Sequence, residues 1–381
     1  MDLAPVPEPT RGSGSARREY CTYFDLEYLD KGLALYQSLV EHAGDFRLHV
    51  VCFDDLAHRV LAAMELPHLD LLHVAELEAA DPELLATRTT RSSVEYMWTA
   101  TPCVIRFFRD RDGLGELTYL DADTCFFSSP EPLFDALGTG SVSITPASSS
   151  PQHYSRRLAR QAGLYVVQFV TFRFDEGGNR ALEWWRESCI EWCYARFEDE
   201  RMGDQKYLDA WPLLFDGVRP LGHPGILGPW CMEARRVERQ DEGITVDSEP
   251  LIVYHYMGLR IYADGRYRPA AGRFRIRPEE REWIYDPYLA RLREARRQIA
   301  EIAPEFPVAL IQREPLRWRL QAPVSKLIGA LARARIRLLP HWNVGPYVPG
   351  GYVPRGYAAD PEATARAASA TYSASASESS G

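Results

Sequence analysis

The chain has 381 residues, of which 46% are hydrophobic and 25% charged, and its net charge is −9. That composition builds one large packed domain with appendages, or two modest domains, and the acidic balance argues against a general nucleic-acid binder. No run approaches the roughly 20 apolar residues that span a bilayer, no signal-peptide pattern is present, and the seven cysteines form no CxxC pair, so a cytoplasmic setting with reduced thiols is expected.

Residues 1–17, rich in Pro, Gly, Ser and Arg, read as a disordered leader. A strand is expected at Glu19–Phe24. A helix follows over Leu29–Val40, where Leu33, Leu35, Tyr36, Leu39 and Val40 recur at helical spacing. The strand Phe46–Phe53 ends at Asp54-Asp55 and leads into another helix, and Leu69–Val74 makes a third strand. Such alternation is the pattern of a parallel α/β sheet. Ser93–Asp110 reads as a helix, and Glu116–Leu120 as a buried strand that stops at Asp121-Ala122-Asp123. Further strands are expected at Ser141–Thr145 and Leu164–Phe174. A Trp- and Glu-rich helix covers roughly 179–198, with Cys189 and Cys193 as core thiols. A short helix begins at Asp204, and a late strand, Leu251–Tyr254, ends at His255. Residues 278–302 read as one charged helix. From 315 to 359 there is no acidic residue, while basic and apolar residues interleave. The stretch 317–342 is therefore a candidate peripheral membrane or partner contact; the alternative is a helix packed on the domain with its arginines snorkelling to water.

The chemistry concentrates at Asp121-Ala122-Asp123. Positions i and i+2 of an extended chain share a face, so two carboxylates project together from the carboxyl end of a strand, where open α/β sheets place their ligands. Mn²⁺ or Mg²⁺ suits such oxygen ligands and is commonly shared with a diphosphate. The alternative is a polar turn. No G-x-G-x-x-G follows the first strand, and neither a P-loop nor a G-x-S-x-G elbow occurs.

The segment Tyr119-Leu120-Asp121-Ala122-Asp123-Thr124, followed by Ser129-Pro130-Glu131-Pro132-Leu133-Phe134, resembles the DxD segment of the retaining glycosyltransferases of family 8, the glycogenin and bacterial galactosyltransferase family. Cys21–Asp25 and Ala34–Leu39 look like that family's nucleotide-binding opening. Gly203–Leu208 looks like its Asp-Gln segment, and His255-Tyr256-Met257-Gly258 is similar to its late His-x-x-Gly. The four matches lie in the right order over roughly 19–265.

The resemblance implies a GT-A fold, a Rossmann-like mixed α/β sheet flanked by helices, at 18–275. A helical C-terminal extension at 276–345 and a loose tail at 346–381 would follow it. It implies a metal-dependent transfer of sugar from a nucleotide-diphosphate donor, such as a UDP-sugar, to an acceptor, with retention. Asp121, Asp123 and His255 would hold the metal. Thr22, Tyr23, Asp25, Arg91, Ala122, Gly258 and Arg260, with Asp121, would meet the nucleotide, and Asp204 and Gln205 would stand beside the anomeric carbon. Read from the residues alone, Asp25 is equally a turn former, Asp204 an N-cap and His255 a satisfied core histidine.

Two departures from the family pattern stand out. Val166, in Tyr165-Val166-Val167-Gln168-Phe169, replaces the sugar-contacting asparagine. The basic residue that precedes the metal strand is not obvious, with Arg88 and Arg91 as candidates. The rival reading is a non-catalytic relative that binds a nucleotide sugar or glycan. A sugar-1-phosphate nucleotidyltransferase would need a Gly-rich, Arg-containing loop where this chain has Asp25-Leu26-Glu27-Tyr28.

Overall fold

The computed structural model describes residues 17–147, 161–272 and 274–306. The expected leader, the basic stretch 317–342 and the tail lie outside the described residues.

The first strand, β1 (Arg18–Phe24), is buried at every position from Tyr20 onward, as a strand must be when helices cover both sheet faces. It pairs in parallel with β2 (Phe46–Cys52) and β4 (Glu116–Leu120), and β2 pairs in parallel with β3 (Leu69–His73). The parallel reading ends there. The nine-residue β7 (Tyr165–Arg173) lies antiparallel to both β4 and β6 (Val142–Pro146), and β8 (Val218–Pro220) closes the edge. The order β3-β2-β1-β4-β7-β6-β8 makes the mixed, helix-flanked sheet that the resemblance implied.

Two helices cover one face. Ser93–Asp112 opens on a capping box between Ser92 and Glu95 and closes on Gly113 at φ 61°. Glu176–Glu191 is capped by Asp175, which accepts from the Gly178 amide at 2.8 Å. Between them and the sheet lie Val104, Phe108, Val170, Phe172, Trp184 and Trp185. The opposite face is covered by Leu29–His42, by Asp55–Met64 and by the C-terminal Asp286–Ile302, with Leu35, Leu39, Val60, Ala295 and Ile299 in one cluster. Ion pairs of Arg296 with Asp30 and Arg291 with Glu41 fasten Asp286–Ile302 to Leu29–His42. The opening part of the expected extension is thus packed into the domain's core. Among the described residues, no helix is long and apolar enough to cross a membrane.

A second, small sheet brings the late strand to the metal segment. Here β5 (Thr124–Phe126) pairs antiparallel with β13 (Val253–His255), which also pairs in parallel with β9 (Ile226–Leu227). This late strand starts two residues later than expected and ends at His255, as expected. The other two- to four-residue strands between 218 and 268 were not foreseen, being too short to show an alternation.

Two expected helices are corrected. The 179–198 helix ends at Glu191 because Trp192 turns extended at φ −151°, its ring packing edge-on against Tyr194 at 5.3 Å. The 278–302 helix runs through as one, corrected only by a π-turn at Arg281–Tyr285. Pro287 has no N–H to close an α-turn there.

Gly178 has no room for a side chain: an added Cβ would lie 1.9 Å from the Arg173 carbonyl oxygen. Gly178→Ala is expected to destabilise the protein by about 1–3 kcal/mol through overpacking against main chain, read as a lowered urea midpoint at unchanged slope.

Candidate functional site

Strand β4 ends where the Asp121 amide reaches back to the Gln168 carbonyl at 3.3 Å. The chain then turns tightly, with the Thr124 amide and hydroxyl both donating to the Asp121 carbonyl, at 3.1 and 2.8 Å. That turn is closed across the small sheet, where His255 faces Thr124 and the Tyr256 amide donates to the Asp123 carbonyl at 2.8 Å. Residues more than 130 positions apart are thereby brought together. His255 Nε2 lies 2.9 Å from Asp123 Oδ1 and 3.7 Å from Asp121 Oδ2.

His255 is held from both sides along its strand. The Tyr254 and Tyr285 hydroxyls are 2.8 Å apart, and the Tyr256 hydroxyl donates to the Ile284 carbonyl at 2.8 Å. The Tyr256 and Tyr288 rings stack at 3.6 Å with planes 7° apart. The edge of Trp230 meets the His255 ring at 5.4 Å.

The electrostatics leave negative charge in excess. Burial, reinforced by the Asp123 charge and offset by His255 and by a hydrogen bond from Tyr119, pushes the Asp121 carboxyl up to about 7. Burial acts on Asp123 in the same sense, but the His255 ring outweighs it and holds this carboxyl below the usual range. Burial disfavours the His255 cation, yet Asp123 carries its pKa above the ordinary value. A protonated imidazole balances the buried Asp123, and the half-buried Asp121 adds a second negative charge as the pH rises past about 7. The donor set, two carboxylate groups and one imidazole nitrogen, suits a hard to borderline divalent cation such as Mn²⁺ or Mg²⁺, so the residues present fit the metal expected of them.

Asp204 stands at the start of the short helix Gln205–Ala210, after Gly203 in the left-handed region at φ 56°. Its side chain makes no cap hydrogen bond. One oxygen instead accepts from the Thr101 hydroxyl at 2.9 Å, and the Asp204 carbonyl accepts from the Trp185 indole at 3.0 Å. Burial pushes this carboxyl up to about 6, against the hydrogen bond from Thr101. Gln205 turns away, donating to the Ala162 carbonyl at 2.6 Å. The next turn carries a buried ion pair, Lys206 with Asp209, whose other carboxylate oxygen accepts from the Leu164 amide at 2.6 Å.

The remaining expected contacts divide. Thr22 is fully buried and its hydroxyl finds no partner among the described residues. Tyr23 is buried with its hydroxyl 2.8 Å from that of Thr101. Asp25 caps the turn Leu26–Tyr28, accepting from the Glu27 amide at 3.0 Å, the turn-former role. Ala122 is buried between the two aspartates, and Gly258 takes φ 68°. Arg260 opens a strand paired with Tyr267–Arg268. Arg91 is not brought to the acidic cluster: its guanidinium donates to the Ile190 and Glu191 carbonyls and covers the Tyr194 ring at 3.9 Å. Arg88 pairs with Glu78. Gln168 is buried, with a side-chain oxygen unpartnered among the described residues.

Sequence reasoning missed Tyr119, whose hydroxyl donates to Asp121 Oδ1 at 3.0 Å. The signal was present, since Tyr119 shares a strand face with Asp121. It also missed Lys31, whose ammonium sits 3.4 Å from the Tyr28 ring centroid and adds positive potential at Asp123. Thr101 left no signal at all. A second grouping of ligand types, His49, Asp70 and Asp112, is already neutralised: both His49 nitrogens are bonded to carboxylates and Arg111 pairs with both aspartates.

No family model matches the chain. YfnF of Bacillus subtilis (strain 168) is 32% identical over 249 residues, covering 64% of this chain and 82% of that protein. YfnD of the same strain is 30% identical over 293 residues, covering 76% and 92%. Both are described as uncharacterized. Among solved structures, the bifunctional glycosyltransferase WbbM matches with a TM-score of 0.46 at 13% identity over 78% of this chain and 53% of that one. The galactosyltransferase LgtC, solved with donor and acceptor sugar analogues, matches with a TM-score of 0.45 at 14% identity over 79% and 99%. The chain belongs to the family of YfnF and YfnD.

Proposed function

We propose that this member of the YfnF and YfnD family is a metal-dependent glycosyltransferase that takes a sugar from a nucleotide-diphosphate donor, a UDP-sugar, and passes it to an acceptor with retention. The observation that carries the reading is the convergence of Asp121, Asp123 and His255 at the end of β4, with Nε2 2.9 Å and 3.7 Å from the two carboxylates. The four ordered sequence matches to family 8 support it.

In this reading Asp123 and His255 hold the cation, with Asp121 closing the set. The bound metal would supply Lewis-acid stabilisation of the leaving diphosphate. Thr22 offers a hydroxyl without a partner among the described residues near the end of β1, where the nucleoside is expected. Gly258, at positive φ, lets backbone approach the diphosphate. Asp204 is the buried carboxylate that orients the sugar and the attacking hydroxyl. Arg91 drops out of the donor contacts. With valine at 166, Gln168 brings an amide oxygen unpartnered among the described residues to the strand that family 8 uses to read the sugar.

The rival, a binding protein without turnover, is favoured only by that valine. Titration of UDP with and without Mn²⁺, beside an assay of UDP released from a panel of UDP-sugars, separates the two. Metal-dependent UDP binding with turnover of at least one donor is expected. Metal-dependent binding with no hydrolysis or transfer across the panel would favour the rival, and metal-independent binding would remove the metal from the site.

A further inference from the structure

We infer that Thr101 is a positioning residue for Asp204, and that with Tyr23 it forms a buried hydroxyl chain tying this carboxylate to the nucleotide end of the site. The inference rests on the glycosyltransferase reading and deepens it.

The Thr101 hydroxyl has one proton, and the geometry decides where it goes. It lies 2.9 Å from Asp204 Oδ2, an acceptor whenever the carboxyl is ionised, and 2.8 Å from the Tyr23 hydroxyl. Thr101 therefore donates to Asp204, and Tyr23 donates to Thr101. All three residues are buried, so none exchanges this bond for water. The three groups come from three separate elements: β1, the Ser93–Asp112 helix and the turn at 204. A bond to an ionised acceptor in such surroundings is strong and directional.

The Asp204 and Gln205 backbone amides also favour the ionised Asp204 carboxylate, and Thr101 is the side chain that donates to it. Gly203 is at φ 56°, and an added Cβ there would come 3.2 Å from the Trp98 ring. The Asp204 side chain does not cap its own helix. Thr101, one residue before Pro102, the proline inside the same helix, holds the Asp204 Oδ2 from the opposite element. Tyr23, in turn, lies on the strand whose end is expected to meet the nucleoside, and its ring packs 5.8 Å from that of Tyr119, the donor to Asp121. Two buried tyrosines and one threonine thus stand between the metal segment and Asp204.

Thr101→Val keeps shape and removes the donor; Thr101→Ser keeps the donor. With the full chain, Mn²⁺ and the best donor of the panel, Thr101→Val is expected to lower kcat ten- to a hundredfold, the range seen when a catalytic group is misplaced slightly. KM and metal-dependent UDP affinity should stay within threefold, and Thr101→Ser should recover most of the rate. Full activity in Thr101→Val, or a parallel loss of UDP affinity, would overturn the inference and leave the functional reading standing. A wild-type chain without turnover would sink the functional reading instead. The positioning contact then has its own readout. In urea unfolding at pH 7.5, the effect of Asp204→Asn on the midpoint should differ between the threonine and valine backgrounds, because valine leaves the ionised carboxylate without its donor. Additive effects would overturn the contact.

Discussion

Asp123→Asn is expected to abolish the gain in UDP affinity that Mn²⁺ provides, and to lower sugar transfer by about a thousandfold or more. A metal at a leaving diphosphate supplies several kcal/mol of charge stabilisation, and about 4 kcal/mol corresponds to three decades in rate. The substitution keeps shape and removes one of the two charges that define the site. It also takes from His255 the carboxylate at 2.9 Å that raises its pKa. Isothermal titration of UDP with and without Mn²⁺ reads the first effect and UDP release the second, with a melting curve to show that the variant is folded. Should Asp123→Asn keep the same UDP affinity and the same metal dependence, the metal assignment would be wrong.

At Asp204 the expected effects on stability and on activity have opposite signs. The folded carboxyl is pushed up to about 6 from 3.8, so ionising it costs more in the folded state than in the unfolded chain. The wild type therefore gains stability as the pH falls through 6 toward 4, where the folded state holds a proton that the unfolded one has lost. Asp204→Asn removes the titration. Above pH 6 the variant should be more stable by about 1–3 kcal/mol, and the gap should close by about pH 4. Transfer should nevertheless fall at least a hundredfold, the lower end of what a positioned acid or base contributes. Urea unfolding at pH 7.5 and 4.5, with turnover at pH 7.5, tests both. A less stable variant at pH 7.5 would show that Asp204 is held by favourable bonds rather than against its solvation.

Much of this was legible along the chain because strands buried on both faces read as apolar runs, and those runs ended at the chemistry. Strand β4 stopped at Asp121, the late strand at His255, and their order matched a known pattern. Burial could not tell β7 antiparallel from parallel, so the sheet's mixed character needed the resemblance or the structure. Arg91 illustrates a different limit: sequence shows a charge but not its partner, and two carbonyls at a helix end claimed it. The partnership of Thr101 with Asp204 spans 103 positions and joins two residue types that are common everywhere. No local pattern marks it. The π-turn was foreshadowed by Pro287, yet the charge pattern of 278–302 runs through it unbroken.

The tyrosine contacts around His255 bear on how this family can be taken apart. Tyr285 and Tyr288 come from the segment that the sequence marks as an extension, and they grip the two neighbours of His255. A cut at residue 275 is therefore expected to disturb the candidate site. A chain shortened there would keep every residue of the motif and lose the brace on one of them.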